Sequence, residues 1–169
     1  LGEDSSAGEV NGSQNNNNSY GSGAAYVFVR DGTNWAQQAY LKAPSPEVGA
    51  NFGYAVGLAG GVAVVSAPFH FSLSGSAHIY TRSGTNWTRQ NSYNDSNINP
   101  NESDLFGRSV AVSGNTVVIG QPLEDSSTTG VNPNYDSNSA NAGAVFVFVQ
   151  PNAQLQLLVD VDATALPPG

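Results

Sequence analysis

The apolar positions of this chain fall into short runs that Gly, Asn and Ser interrupt. Residues 62–65 and 117–119 are apolar at consecutive positions, as in strands buried on both faces. The links that precede these runs, at 59–61 and 113–115, contain Gly, which tolerates positive φ and is typical of tight hairpins. The longest segments without Gly or Pro do not hold a 3.6-residue period. The pattern therefore predicts an all-β chain.

The apolar runs belong to phrases that recur. The phrase that begins at Phe52-Gly53 and ends at Pro68 is repeated from Phe106-Gly107 to Pro122. A second phrase, which opens with Gly and alternates aromatic with aliphatic residues, occurs at 23–30, 75–82 and 143–150. A repeat of roughly 50 residues that contains only short strands is typical of a β-propeller with one four-stranded blade per repeat.

Each repeat is predicted to run from strand 1 at Phe-Gly, through strand 2 ending at Pro, to strand 3 at the Gly phrase and strand 4 at Asn-Trp. This order gives β-propeller blades of four antiparallel strands, about two and a half of them in this chain. We expect a partial blade over 1–41 and complete blades over 52–93 and 105–161. Propeller repeats then occupy 1–150, and 151–169 forms a C-terminal strand and linker tail.

Strand 3 is predicted to be buried in every repeat, including the aromatic residues Tyr26, Phe28, Phe146 and Phe148. The two Trp residues follow Gly-Thr-Asn and are predicted to pack between adjacent blades, with stacking on sugars as the alternative. The recurring residues are the ones predicted to hold the repeat together: Phe52, Gly53, Pro68, Phe106, Gly107, Pro122, Trp35 and Trp87.

These phrases resemble the FG-GAP repeats of integrin α-subunit-like β-propellers, and more closely their bacterial extracellular form. Phe-Gly opens each repeat, and the later triplet of the family appears as Ser66-Ala67-Pro68 and Gly120-Gln121-Pro122. The resemblance covers roughly residues 1–150. It implies an extracellular or cell-surface protein with a structural or adhesive role.

Many members of this family carry a calcium loop of the D-x-D-x-D-G kind between strands 1 and 2. Here the link is only Ala-Gly-Gly at 59–61 or Ser-Gly-Asn at 113–115, and neither offers a carboxylate. Calcium takes six to eight oxygen ligands, several of them charged. The family's calcium binding is therefore not carried over to these positions.

Two acidic pairs, Glu3-Asp4 and Glu124-Asp125, are the candidate metal ligands, because each is followed by Ser-Ser at a matching place in the repeat. A carboxylate pair with nearby hydroxyl groups supplies part of a calcium shell. The alternative is that Asp and Ser cap the loop through backbone N–H groups. We favour the cap and expect no cofactor, with calcium kept as the alternative.

The loops at 5–22 and 124–142 are rich in Asn, Ser and Gly and lie between strands 2 and 3 of their repeats. They are expected to share one face of the propeller, as surface loops or as binding loops for glycans or proteins. A lectin-like module is therefore the alternative function.

Catalytic residues are few. His70 and His78 do not recur, and His78 replaces the aromatic residue of the other strand 3 copies, which predicts a partly buried edge residue rather than a base. No Gly-x-Ser-x-Gly elbow is present. We expect a protein that is not an enzyme, or an accessory domain of a larger cell-surface enzyme.

The formal net charge is −8 with only 5 Lys and Arg, so the chain has no basic stripe for nucleic acid. No apolar run reaches the ~20 residues of a membrane span. The chain opens where a strand 2 would have ended, which leaves unpaired sheet edges, and such edges template pairing with other strands. The expected partners are other copies of the chain, joined in a ring or filament, or the rest of a longer propeller.

Overall fold

A computed structural model describes residues 1–94, 103–131 and 136–149, together with the backbone of 156–157. The described residues form strands and no helix, and hence no apolar helix that would cross a membrane. The strands are β1 (Ala25–Asp31), β2 (Asn34–Leu41), β3 (Val56–Ala59), β4 (Val62–Ala67), β5 (Ser76–Ser83), β6 (Asn86–Asn94), β7 (Ser109–Ser113), β8 (Thr116–Gln121), β9 (Ala144–Val149) and β10 (Gln156–Leu157).

The strands form three antiparallel sheets. Strands β3, β4, β5 and β6 lie in that order in one sheet, and β7, β8, β9 and β10 lie in order in another. Strands β1 and β2 form a two-stranded sheet. We call the sheets blade 1 (β1 and β2), blade 2 (β3 to β6) and blade 3 (β7 to β10). The predicted all-β fold of blade-like antiparallel sheets is confirmed.

The tail predicted over 151–169 is described only in part. The backbone of Gln156–Leu157 pairs antiparallel with Phe148 and Val149 of β9, as strand 4 of blade 3. The other residues of the tail lie outside the described residues.

Tight hairpins join the first two strands of blades 2 and 3. In blade 2, Ala59 pairs with Val62 around Gly60 and Gly61, whose φ angles are 55° and 81°. Two consecutive positive φ angles are what a type I′ turn requires, and Gly adopts them without steric cost. The Gly-containing links of the sequence are therefore turns, as predicted.

The same register shift occurs in two strand pairs, β1 with β2 and β5 with β6. The register shifts between Ile79 and Tyr80 in blade 2, and between Val27 and Phe28 in blade 1. A bulge of this kind adds one residue to one strand and increases the local twist. Its recurrence shows that the repeat extends to backbone details that no sequence phrase signals.

Two apolar clusters hold the blades together. The first lies between blades 1 and 2 and includes Phe52, Tyr80 and Trp87. The second lies between blades 2 and 3 and includes Phe106, Ile79, Ile119, Phe146 and Phe148. Phe52 and Phe106 are both fully buried. The core of the protein is therefore a series of blade interfaces, as in other repeat architectures.

Candidate functional site

The two polar loops, at 3–22 and 124–142, close in the same way. The Asp4 carboxylate accepts a hydrogen bond from the Gly21 N–H at 2.7 Å, and the Asp125 carboxylate accepts one from the Asn141 N–H. The main-chain carbonyls of the two Asp residues accept the N–H groups of Ser19 and Ser139, both at 2.8 Å. These bonds match the capping role that Asp plays in turns.

The neighbouring glutamates also bond inside their loops. Glu3 accepts the Ser5 N–H at 3.0 Å, and Glu124 accepts the N–H and the hydroxyl of Ser126. Burial on its own would raise the pKa of Glu3, but hydrogen bonds from Lys42 and Ser5 outweigh it and hold the pKa below its ordinary value. Within the described residues, no three His, Asp or Glu side chains form a group fit for a metal ion. The observed contacts of these carboxylates are those of a loop cap, and the choice between cap and calcium site stays a prediction.

Lys42, the single lysine of the chain, forms the anchor of the first loop. It is fully buried, its Nζ pairs with Glu3, and it donates to Ser22 Oγ at 2.7 Å and to the Gly23 carbonyl at 2.8 Å. Three acceptors satisfy the three donors of an ammonium group. Sequence reasoning missed this residue, although a lone Lys directly after a buried strand was the available signal.

A chain of hydrogen bonds runs through blade 2 and contains both histidines. His70 Nδ1 lies 3.0 Å from Ser76 Oγ, which lies 3.1 Å from His78 Nε2, and His78 Nδ1 lies 2.8 Å from Ser92 Oγ. The other ring nitrogen of His70 is 3.5 Å from Glu47. Burial, together with repulsion from Arg89 and from His70 in its protonated form, lowers the pKa of His78 to about 3. Burial also lowers the pKa of His70 and outweighs the nearby Glu47 carboxylate, so that burial favours the neutral form of both imidazoles.

The prediction for His78 needs correction, because the residue is fully buried rather than a partly buried edge residue. Its side chain lies on the face of β5 that meets blade 1, with the Phe52 ring centroid at 5.4 Å. Ser76 is buried as well. A serine between two histidines has the groups of a nucleophile and its base, and here the Ser76 hydroxyl and both imidazoles lie inside the blade.

Consecutive blades are connected by what we call the blade joint. Gly23 forms a parallel bridge with Phe52, and Gly75 forms the same bridge with Phe106. In the first joint the N–H of Phe52 donates to the Ser22 carbonyl at 2.8 Å, and the N–H of the preceding residue donates to the Gly21 carbonyl at 3.0 Å. In the second joint the corresponding acceptors are the carbonyls at 74 and 73, both at 3.0 Å.

Glycine is required on both sides of this joint. A Cβ at Gly23 or Gly75 would lie 2.2 Å from the carbonyl oxygen of the incoming Phe. A Cβ on the following glycine, Gly53 or Gly107, would lie 2.4 or 2.8 Å from a carbonyl of the preceding blade. Sequence reasoning noticed these recurrent glycines but did not find that they bring two backbones together.

The outer face of blade 1 is exposed, contrary to the sequence prediction. Tyr26 and Phe28 of β1 are solvent-exposed, whereas Phe146 and Phe148 are buried against blade 2. The reason is the neighbour: strand 3 turns its aromatic residues toward the preceding blade, and the described residues contain no blade before blade 1. The Val and Phe pattern is the same in both strands, so it did not distinguish them.

The two tryptophans differ for the same reason. Trp87 is 7% exposed, packs against blade 1 and donates its indole N–H to Gln38 at 2.9 Å. Trp35 is 65% exposed, with the Arg30 guanidinium 6.0 Å from its ring. The prediction that both rings pack between blades is thus wrong for Trp35.

A cavity of about 490 Å³ follows the free edge of β1, and we call it the front groove. Its lining includes Tyr26 and Phe28 on one side and Val56 and Leu58 of β3 on the other. Val56 and Leu58 are exposed, whereas the matching Val110 and Val112 of β7 pack into the cluster between blades 2 and 3. The groove is the place where strands 1 and 2 of blade 1 would lie.

A second cavity, of about 340 Å³, lies at the far side of blade 3, and we call it the back pocket. It is lined by Arg108, Ser109, Gly120, Gln121, Pro122, Gly143, Ala144 and Val145. Pro122 is exposed here, whereas Pro68 at the matching turn of blade 2 is buried. Gln121 is buried, and its amide donates to Asp104 at 3.0 Å while its oxygen has no partner in the described residues.

A family model described as the FG-GAP repeat matches residues 35–80 and 98–148, which together make up more than half of the chain. The chain belongs to the FG-GAP repeat family. The Phe-Gly of each FG-GAP repeat is the incoming side of the blade joint, and the glycine of the strand 3 phrase is the receiving side. No curated protein matches the chain.

Proposed function

We propose that this chain is a non-catalytic, extracellular structural and adhesive module, in which FG-GAP blades form a scaffold that joins further blades through its open ends. The observation that carries the proposal is the repetition of one apolar blade interface, with equivalent residues left exposed at the front groove and the back pocket. Neighbouring apolar side chains that are exposed together are typical of interaction sites.

Composition and bonding support the same role. FG-GAP repeats occur typically in extracellular proteins, and the chain is rich in uncharged Asn, Ser and Thr and has a net charge of −8. The Ser and His groups that resemble catalytic ones are buried, and the loop carboxylates bond to backbone N–H groups. We therefore assign these side chains to holding the blades and loops together.

The assembly state of the chain in solution tests the proposal. Light scattering with negative-stain microscopy should show rings, filaments or smaller assemblies that grow with protein concentration. The reason is that unpaired sheet edges and exposed apolar faces bind the strands of other copies. The substitution Val56→Glu in the front groove should weaken them. A folded monomer at every concentration, with Val56→Glu indistinguishable from the parent, would count against joining through the open ends.

A chelator arm addresses calcium in the same experiment. If Glu3, Asp4, Glu124 and Asp125 act only as loop caps, then removing divalent cations leaves assembly and thermal stability unchanged. Loss of assembly on chelation would instead assign a calcium ion to these loops.

A lectin-like module is the second candidate, and the exposed Trp35 favours it. Trp35 and Tyr20 are large aromatic side chains open to solvent, and aromatic faces stack on sugars. Glycan-array binding that disappears in Trp35→Ala would support this function, whereas Trp87→Phe serves as the control for loss of a buried indole. Binding that survives Trp35→Ala would reject Trp35 as the sugar platform.

A further inference from the structure

The backbone around Gly143 repeats the receiving side of the blade joint. Gly23, Gly75 and Gly143 have φ angles of 81°, 85° and 77°. The residues two positions earlier, Gly21, Leu73 and Asn141, also have positive φ angles, of 63°, 82° and 57°. Three receiving sites therefore share one backbone conformation that non-glycine residues seldom adopt.

The hydrogen bonds inside the three receiving sites match as well. The glycine N–H donates to the carbonyl of Glu3 in the first site, His70 in the second and Glu124 in the third, each at 2.8 to 2.9 Å. The third site is therefore built by its own loop and does not need an incoming strand to take this shape.

Among the described residues, two of the three sites are filled and the third is open. At Gly23 and Gly75 a Cβ would strike the carbonyl oxygen of Phe52 or Phe106 at 2.2 Å, whereas at Gly143 the nearest described atom is the Pro122 carbonyl oxygen of the same blade, at 3.4 Å. In the part of the chain that the structure describes, the carbonyls of Asn141 and Ala142 accept no loop hydrogen bond, although their counterparts accept two from each incoming strand.

The back pocket continues an interface that the molecule already uses. Val145 matches Ala77 of β5, which is fully buried in the cluster around Phe106. Val145 is 62% exposed and lines the back pocket beside Gly143. The same ring that seals blades 2 and 3 would cover Val145 if a further strand entered here.

We infer that the back pocket receives a strand carrying x-Phe-Gly. This strand comes from a further FG-GAP repeat, other than the two that begin at Phe52 and Phe106 of this chain. The Phe ring covers Val145, and the N–H groups of Phe and of the residue before it donate to the carbonyls of Ala142 and Asn141. A second folded copy does not supply this strand, because its Phe52 and Phe106 strands are already engaged in its own joints. The assembly of copies proposed above therefore uses the front groove. The inference rests on the proposed joining of blades and names the partner of that surface.

A labelled peptide of residues 103–113 serves as the probe, since it contains Phe106-Gly107 and strand 1 but no strand 2. Strand 1 alone does not fit the front groove, where strand 2 would have to pair with the edge of β1. Titrating the folded chain into this peptide should give a saturable rise in fluorescence anisotropy. The same peptide with Phe106→Ala should bind at least about tenfold more weakly, because a buried aromatic anchor carries much of such an interface.

Two matched variants of the chain locate the binding. Val145→Glu places a charge under the incoming ring and should abolish binding, whereas Val56→Glu alters an equally exposed strand valine of the front groove and should leave it unchanged. Far-ultraviolet circular dichroism confirms that both variants are folded. The Phe106→Ala peptide keeps the test valid even if one variant fails to fold.

The remaining outcomes overturn the inference. No binding, binding that ignores Phe106→Ala, or binding that depends on Val56 rather than Val145 each contradict an x-Phe-Gly site at the back pocket. Failure here is separable from failure of the proposed function. Assemblies without peptide binding would reject only this inference, and peptide binding by a strictly monomeric chain would reject only joining between the chain's own copies.

Discussion

At the residue scale, buried polar side chains give this fold its internal constraints. Lys42 is surrounded by Glu3, Ser22 and Gly23, so one ammonium group fixes the first loop to the end of β2. A buried charge is tolerated only when it is paired and hydrogen-bonded, and here all three of its donors have partners. The blade 2 counterpart of Glu3 is His70, and the carbonyl of each residue accepts the N–H of the joint glycine at 2.9 Å. This position therefore needs the main-chain carbonyl rather than a carboxylate side chain.

His78 makes the stability of the protein depend on pH. The pKa of its imidazole is about 3 in the folded protein and near 6.5 once unfolded, so between these values the unfolded chain binds the extra proton. Its contribution to stability is full above the unfolded pKa and is lost as pH falls toward the folded pKa. The free energy of unfolding should therefore decrease from pH 7 to pH 5, approaching about 1.4 kcal/mol per pH unit for one full proton.

Urea unfolding of the parent and of His78→Phe at pH 7 and pH 5 measures this effect. Phe is the residue at the matching position 146, so the variant keeps an aromatic ring there. His78→Phe should show a smaller loss of stability on acidification, with the rest due to His70, whose pKa is also lowered by burial. Equal losses in both proteins would show that His78 does not bind the proton on unfolding.

At the element scale, the strands and hairpins could be predicted because their signals are local. Gly60-Gly61 between two valine-rich runs specifies a hairpin wherever it occurs, since the turn depends on φ alone. The burial of Tyr26, Phe28 and Trp35 could not be predicted, because the same residue types are buried in the next blades and exposed here. Burial depends on the neighbouring blade, which no local pattern contains.

The blade joint was only half predictable for a related reason. The recurrence of Gly23, Gly75 and Gly143 was visible in the sequence, but the contact that requires glycine at the first two joins residues far apart in the chain. Lys42 escaped prediction in the same way, because its partners lie in a loop that precedes it. The spacing of residues along the chain predicts the strands and hairpins. The polar anchor at Lys42 and the blade joints depend instead on how those strands pack against each other.

The joint gives a prediction with a close control. Gly75 and Gly84 both have positive φ, but only a Cβ at Gly75 meets another backbone, at 2.2 Å from the Phe106 oxygen. Gly84→Ala should cost about 1 kcal/mol, from backbone strain alone. Gly75→Ala should cost distinctly more, about 3 kcal/mol or above, because blades 2 and 3 must also separate.

Chemical denaturation of the two variants decides the matter. The midpoint for Gly75→Ala should fall well below that for Gly84→Ala under the same conditions. If the two substitutions cost the same, then positive φ is the whole requirement for glycine, and the close approach of the strands at the joint is not a constraint on stability.

At the scale of the whole molecule, stability should be a sum of blade interfaces. Each apolar cluster joins only neighbouring blades, so a blade without a neighbour on one side leaves that face exposed. The front groove and the back pocket are the two ends of this series. The aromatic residues of the chain should therefore differ in energetic importance according to their position in the series rather than their residue type.

Phe148 and Phe28 occupy the same position of strand 3 in blades 3 and 1, and they test this view directly. Phe148 is 4% exposed in the cluster between blades 2 and 3, whereas Phe28 is 50% exposed on the front face. Truncating a buried Phe removes its transfer free energy and leaves a cavity, which costs about 3–5 kcal/mol.

Phe148→Ala should reach that range, and Phe106→Ala should match it because its ring lies in the same cluster. Phe28→Ala should cost less than about 1 kcal/mol, measured by urea unfolding of each variant. A large loss of unfolding free energy in Phe28→Ala would mean that the front groove is covered in solution. The partner that covers it would then have to dissociate before the chain unfolds.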